Sequence, residues 1–227
     1  MMRATKIVAT LGPASSSKEV LEGLVRAGVD VVRLNFSHGT AADHRARADL
    51  VREISQKVGR EVAIMADLQG PKIRVGKFEN NKIILKPGQR FTLDANCALG
   101  NDDVVGLDYK NLPNDVKVGD KLLLNDGLLV IRVERVDQAK IHTIVELGGE
   151  LSNNKGINRA GGGLTAPALT DKDKEDLKTA VSLGADYIAI SFPKNADDMK
   201  IAKELAEQAF KEFGNKTKLI AKIERAE

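Results

Sequence analysis

The sequence predicts an α/β protein in which a parallel sheet covered by helices is interrupted by an inserted all-β module. Three observations carry this. Strand-like runs alternate with helical patterns before residue 70 and again after residue 167. Those runs are nearly all apolar, as strands covered on both faces must be. Between the two regions the long helical patterns vanish, and Gly and Pro turns bracket short alternating strands about every ten residues.

The elements follow in order. Lys6-Ile7-Val8-Ala9-Thr10 is a β-branched run stopped by Gly12-Pro13, and Ser15-Ser16-Ser17 offers N-caps for a helix reading Val20, Leu21, Leu24, Val25. Gly28 ends that helix. The second strand is Val31 to Ser37, and Thr40 to Val58 is a charged helix closed by Gly59. Val62 to Asp67 is a third strand. Within the module, strands are predicted at Lys72–Val75, Lys82–Leu85, Arg90–Leu93, Lys121–Leu124, Leu128–Val136 and Lys140–Leu147, with turns at Lys86-Pro87-Gly88 and Asn125-Asp126-Gly127. Gly161-Gly162-Gly163 closes the module as a hinge; the alternative of a phosphate loop lacks the preceding strand and following helix that such a loop requires. A helix from Leu169 to Leu183, a strand Tyr187–Phe192 stopped by Pro193, a helix Asn195–Phe213 and a fifth strand Lys218–Glu224 complete the pattern.

Composition narrows the function classes. With 227 residues and 42% hydrophobic content the chain can bury a core, and 35 Lys plus Arg against 32 Asp plus Glu give no field suited to nucleic acid or a membrane surface. One cysteine, Cys97, excludes an internal disulfide or a two-Cys metal motif and points to a reducing compartment. No signal-peptide core and no apolar run of ~18 residues is present, so a cytoplasmic protein is expected.

The polar residues gather at the carboxyl ends of the strands, where parallel α/β folds keep their chemistry. On the second strand, Val32, Leu34 and Phe36 share one face while Arg33, Asn35 and Ser37 share the other. A guanidinium, an amide and a hydroxyl in a row suit an anion and a cation held together. The plain alternative is a half-exposed strand facing water. Asp67 ends strand three, Ser191 strand four, and Lys222 and Glu224 strand five, the last two on one side as either a reactive pair or a structural ion pair.

Lys6-Ile7-Val8-Ala9-Thr10-Leu11-Gly12-Pro13-Ala14, Val32-Arg33-Leu34-Asn35-Phe36-Ser37-His38-Gly39, Asp67-Leu68-Gln69-Gly70-Pro71-Lys72-Ile73-Arg74, Asn125-Asp126-Gly127, Leu151-Ser152-Asn153-Asn154-Lys155-Gly156 and Ala221-Lys222-Ile223-Glu224 resemble pyruvate kinase. The resemblance spans the chain. It implies a (β/α)₈ TIM barrel with a β-rich lid inserted after strand three: residues 1–69 as a leading barrel segment, 70–167 as lid, and 168–227 as a returning, incomplete barrel segment. Outside the lid, the chain holds roughly half of the ~250 residues a complete barrel needs, so about five strands and an amino-terminal portion of such an enzyme are expected.

The same resemblance implies phosphoryl transfer between phosphoenolpyruvate and ADP, giving pyruvate and ATP, in a protein that assembles as a homotetramer. It gives Arg33 the substrate phosphate, Lys222 the transferring phosphoryl group, Glu224 a Mg²⁺ or Mn²⁺ ion, and Arg74 and Lys155 the nucleotide. Asn35, Ser37, Asp67 and Leu68 match a monovalent-cation site. Potassium-dependent members typically continue from that aspartate as Thr-Lys-Gly-Pro-Glu, whereas Asp67 here is followed by Leu68-Gln69-Gly70-Pro71-Lys72. Lys72 could thus replace K⁺ with an ammonium, or be a surface lysine. Asp126 is either a turn residue or on the catalytic face. Two rivals stand beside this reading: an aldolase-type barrel using Lys222 as a Schiff-base amine, which Glu224 disfavours by holding the ammonium form, and an inert or weakly nucleotide-binding fragment.

Overall fold

The computed structural model describes residues 4–71 and 73–224. In chain order it opens with β1 (Val8–Leu11), α1 (Lys18–Ala27), β2 (Val31–Asn35), α2 (Ala41–Val58) and β3 (Ala63–Asp67). There follow β4 (Lys82–Leu85), β5 (Arg90–Asp94), β6 (Val104–Val105), the single turn α3 (Leu112–Asp115), β7 (Lys121–Leu124), β8 (Leu129–Asp137), β9 (Lys140–Leu147), β10 (Gly149–Ser152) and β11 (Ile157–Arg159). Last come α4 (Asp171–Ser182), β12 (Tyr187–Ser191), α5 (Ala196–Phe213) and β13 (Lys218–Lys222). Two compact units result: the chain up to Gly70 with Pro167–Glu224, and Pro71–Ala166.

The first unit is a parallel sheet in the order β1-β2-β3-β12-β13. Each crossover advances the chain by one strand, which is the winding of a (β/α)₈ barrel, here with five strands and no closure among the described residues. Local chemistry sets the helices. Ser17 accepts from the Val20 N–H, Thr40 and Asp43 form a capping box, as do Thr170 and Asp173, and Asn195 accepts from Asp197 and Asp198. Gly28, Gly59 and Gly214 end three helices in the left-handed region.

Alternation along the strands does the rest. Val32 and Leu34, Ile64 and Ala66, and Ile188 and Ile190 bury one face against Leu21, Val25, Val51, Ile54, Leu177 and Val181 of the helices. At ~1.5–3 kcal/mol for each large side chain, this burial fixes the register, because a slip of one residue would turn every polar group inward to the helices. Arg52 pins β3 beside β12 from the other end, donating to the carbonyls of Val62 (3.0 Å) and Gly184 (2.8 Å) and pairing with Asp186 (2.8 Å).

The strands stop earlier than their sequence predicts. β2 ends at Asn35, whose Oδ1 accepts from the Ser37 N–H (3.1 Å), so Ser37 sits in a turn rather than on the strand face. β12 ends at Ser191 because Phe192 adopts φ +57°, and β13 ends at Lys222, leaving Glu224 beyond it. A bulky residue in that left-handed region costs on the order of 1–3 kcal/mol.

The second unit pairs a six-stranded sheet, β11-β7-β8-β9-β5-β6, with the two-stranded β10-β4. Asn125, Asp126 and Gly127 take φ 50°, 57° and 86° and close the β7–β8 hairpin, so Asp126 serves as a turn residue. The strand predicted at Lys72–Val75 does not form: Lys72 lies outside the described residues, and Arg74 and Val75 make only isolated bridges to Gly156 and Leu107. β6, β10, β11 and α3 have no counterpart in the sequence pattern: β6, β11 and the single turn α3 are too short to show a period, and β10 opens on the second glycine of Gly148-Gly149, which reads as a turn. Gly161-Gly162-Gly163 is left-handed throughout and wraps the Arg159 guanidinium, which donates to the Gly162 carbonyl (3.0 Å) and pairs with Asp120 (2.9 Å). Gly163 takes φ +86°, a left-handed conformation that glycine adopts without strain, and it lies against the Arg159 guanidinium. Among the described residues no helix is long and apolar enough to cross a membrane.

His44 of α2 is 2% exposed and stacks on Phe36 with ring centroids 4.0 Å apart. Burial foremost, then the Arg47 charge, push its imidazole below the ordinary histidine value, against the opposing pull of Asp176 and Asp43. A lowered folded pKa means that stability is fully present above the unfolded value of ~6.5 and falls as pH drops below it. Thermal melts from pH 7.5 to pH 5 should show a declining midpoint, and His44→Gln should flatten that slope. An unchanged slope in the variant would remove His44 from the account.

Candidate active site

Parallel register brings the polar face together. Thr10 lies beside Arg33, Asn35 beside Asp67, and Ser191 beside Lys222, all on the side opposite the helices. At the carboxyl ends of the strands Thr10, Arg33, Asp67, Lys222 and Ser191 form one network of hydrogen bonds and ion pairs centred on Asp67, whose side chain is 4% exposed. Arg33 reaches Asp67 Oδ2 through Nε (2.6 Å) and Nη2 (2.5 Å), while Lys222 Nζ lies 3.0 Å from Oδ1. One buried carboxylate therefore holds two cations, each about 30% exposed and facing the open side of the sheet.

The network extends outward from this pair. Arg33 Nη1 donates to Thr10 Oγ1 (3.1 Å). Lys222 Nζ donates to Ser191 Oγ (2.9 Å) and lies 3.4 Å from Glu224 Oε1, and the Ser191 hydroxyl donates to the Leu68 carbonyl (2.7 Å). Leu68 is itself fixed to β12 by its N–H on the Ala189 carbonyl. Gly70 donates to the fully buried Asp173 (2.9 Å) and takes φ +68°; a Cβ there would meet Ser191 Cβ at 2.8 Å. The close backbone approach seats the Ser191 hydroxyl under Leu68.

The turn after β2 is pinned separately. Phe36 N–H donates to the Asp67 carbonyl (2.9 Å), His38 N–H to the Asn35 carbonyl (3.2 Å), and Lys172 to the Phe36 carbonyl (3.0 Å). Asn35, Ser37, Asp67 and Leu68 each carry an oxygen, the donor type a hard ion prefers, but Asn35 Oδ1 already accepts from the Ser37 N–H and the Leu68 carbonyl from the Ser191 hydroxyl. Both Asp67 oxygens already face a cation, however, so its charge is matched before any metal arrives. For a divalent ion the fit rests on Glu224, a carboxylate 34% exposed; among the described residues no group of three or more His, Cys, Asp or Glu is arranged for a metal. That is consistent with Mg²⁺, which commonly takes one or two carboxylates and completes its shell with water and substrate oxygens.

In the second unit Arg74 and Lys155 are neighbours. Val75 N–H donates to the Lys155 carbonyl (2.9 Å), and Arg74 bridges Gly156. Neither carries a carboxylate partner among the described residues, which leaves two charges for an anion. Sequence reasoning missed Thr10, Gly70 and Asp173 as members or supports of the site. Thr10 was detectable only through its register with Arg33, and Asp173 hid behind its evident role in the Thr170 capping box.

Comparison with known proteins agrees with this architecture. The family model described as "Pyruvate kinase, barrel domain" matches residues 2–227. The chain is 54% identical over 228 residues to pyruvate kinase II of Salmonella typhimurium, 53% to the pyruvate kinase of Haemophilus influenzae and 52% to that of Buchnera aphidicola. Each alignment covers all of this chain but 47% of the relative, so the chain spans about half the length of the curated relatives it matches.

Asp67→Asn would leave Arg33 and Lys222 without the charge that joins them. Breaking such a pair should lower stability by roughly 2–4 kcal/mol, discounted for the partial exposure of both cations. Urea unfolding measures this, and added phosphate should restore more stability to the variant than to the parent. Equal midpoints would show that Asp67 does not hold the cluster.

Proposed function

The chain belongs to the pyruvate kinase family, and on that premise we propose that it carries the amino-terminal portion of a machinery that transfers a phosphoryl group from phosphoenolpyruvate to ADP, yielding pyruvate and ATP. The observation that supports this most directly is Asp67 holding Arg33 and Lys222 at one spot, with Glu224 beside them. In this reading Arg33 binds the phosphate of phosphoenolpyruvate through the N–H groups that Asp67 and Thr10 leave free. Lys222 neutralises charge on the phosphoryl oxygens as the bond to the enolate oxygen breaks and the bond to the ADP oxygen forms. Asp67 keeps both cations in place before substrate arrives, so no reorganisation is needed during transfer.

Glu224 would hold Mg²⁺ or Mn²⁺, which would supply positive charge to offset that of the phosphate oxygens. Arg74 and Lys155 would take the ADP phosphates as a pair of unmatched cations. The division into two barrel segments separated by a lid, a homotetramer and a cytoplasmic setting belong to the same reading.

Two measurements test it. The 227-residue chain should bind Mg²⁺-ADP in calorimetry, and Arg74→Ala or Lys155→Ala should each weaken binding by about tenfold, the scale of one charge-assisted contact. A chimera in which this chain replaces the matching half of the Salmonella typhimurium relative should convert phosphoenolpyruvate and ADP, and Lys222→Met should remove that turnover. Borohydride trapping of a carbonyl compound on Lys222, with no pyruvate formed, would favour the aldolase-type rival instead.

Lys72 supports a further element of the reading, potassium-independent turnover, because the sequence has a lysine at the motif position where potassium-dependent members carry a glutamate. The chimera should work without K⁺, and Lys72→Glu should make it respond to K⁺. A requirement for K⁺ in the parent, unaltered by Lys72→Glu, would end this idea.

A further inference from the structure

Resting on the phosphoryl-transfer reading of the site, we infer that Ser191 is a positioning residue for Lys222. The Ser191 hydroxyl takes one of the ammonium N–H bonds while Asp67 holds the charge as an ion partner, leaving the side that faces Glu224 to turn toward a phosphoryl oxygen.

The hydrogen-bond inventory sets the direction of every contact. A lysine ammonium has three donors and no acceptor. Three acceptors surround it: Asp67 Oδ1 at 3.0 Å, Ser191 Oγ at 2.9 Å and Glu224 Oε1 at 3.4 Å. Since Lys222 can only donate, the Ser191 hydroxyl must send its own proton elsewhere, and the Leu68 carbonyl receives it at 2.7 Å. The relay therefore runs from Lys222 through Ser191 to Leu68, with no alternative orientation for the hydroxyl.

The three acceptors differ in rigidity. Asp67 is buried and tied to Arg33, and Ser191 is 2% exposed, on β12 directly beside Lys222, backed by Gly70 at a distance that excludes a Cβ. Glu224 lies beyond the end of β13, 34% exposed, at the longest of the three distances. An arriving phosphoryl oxygen must displace one acceptor, and Glu224 is the one whose loss exposes no buried group. Once displaced, its carboxylate is free for a divalent cation. Ser191 and Asp67 then keep Nζ from swinging into solvent.

A Ser191 that merely tied β12 to the Leu68 carbonyl would affect stability without altering Lys222. The test reads the position of Lys222 directly, in crystal structures of the 227-residue chain and its variants. In Ser191→Ala the ammonium loses its acceptor at 2.9 Å, so Nζ should leave its place beside Asp67 Oδ1 while the paired backbone of β12 and β13 stays unchanged. Ser191→Thr, or Ser191→Cys if the added methyl is not accommodated beside Gly70, keeps a donor–acceptor group and should return Nζ to the parent position. In the chimera, Ser191→Ala should lower kcat by about tenfold or more with KM for phosphoenolpyruvate little altered.

An unmoved Lys222 Nζ in a folded Ser191→Ala chain would overturn the inference, whatever happens to the melting temperature. A displaced Nζ in a protein whose chimera shows no phosphoryl transfer would leave Ser191 positioning Lys222 and would sink the proposed activity instead. A displaced Nζ with kcat unchanged would overturn the claim that this positioning serves transfer.

Discussion

Everything in the first unit depends on one buried carboxylate. Asp67 ends β3 with its side chain 4% exposed, and an ionised group so placed is tolerated only with compensating charge. Arg33 from β2 and Lys222 from β13 supply it, one on each oxygen. These partners come from strands separated in sequence by the whole inserted unit, yet they meet because β2, β3, β12 and β13 lie side by side in parallel register. The electrostatic requirement and the hydrophobic register thus select the same arrangement. A strand shifted by one residue would lose apolar burial on the helix side and the ion pairs on the other.

The charges of the cluster add to a useful total. Arg33 and Lys222 balance Asp67 and Glu224, so the site is neutral before it binds anything. A phosphate alone would make it negative and a divalent cation alone positive; the two together restore the balance. This gives a physical reason for the metal and the phosphate to enter such a site as partners on the proposed reading. Glu224 sits loosely beside Lys222, at 3.4 Å, and on the proposed reading the same carboxylate would pass to a metal when a phosphoryl oxygen takes its place.

Much of this was legible from residue order because it rests on period. Alternation divided Arg33 and Asn35 from Val32 and Leu34, and glycine and capping residues marked the helix ends within a residue or two. The cation and carboxylate types at the strand ends were visible for the same reason. What stayed hidden depends on register or on single backbone dihedrals. Thr10 joins the site only when β1 is laid beside β2, and Ser37 leaves the strand face because Asn35 caps its N–H, a local hydrogen bond that competes with extended structure. The short strands of the second unit, such as β11 with its single buried Ile157, carry too few residues to show a period at all.

The monovalent-cation oxygens show how one carboxylate constrains its neighbours. Asn35, Ser37 and Leu68 offer neutral oxygens, and the only formal negative charge among the four residues belongs to Asp67, already shared by Arg33 and Lys222. A potassium ion placed there in the free protein would face two cations across one carboxylate, an unfavourable sum in a partly buried setting. On the proposed reading, the site would become hospitable when a substrate phosphate engages Arg33 and Lys222 and returns Asp67 to the cation. Any monovalent ion would therefore bind in concert with substrate rather than before it.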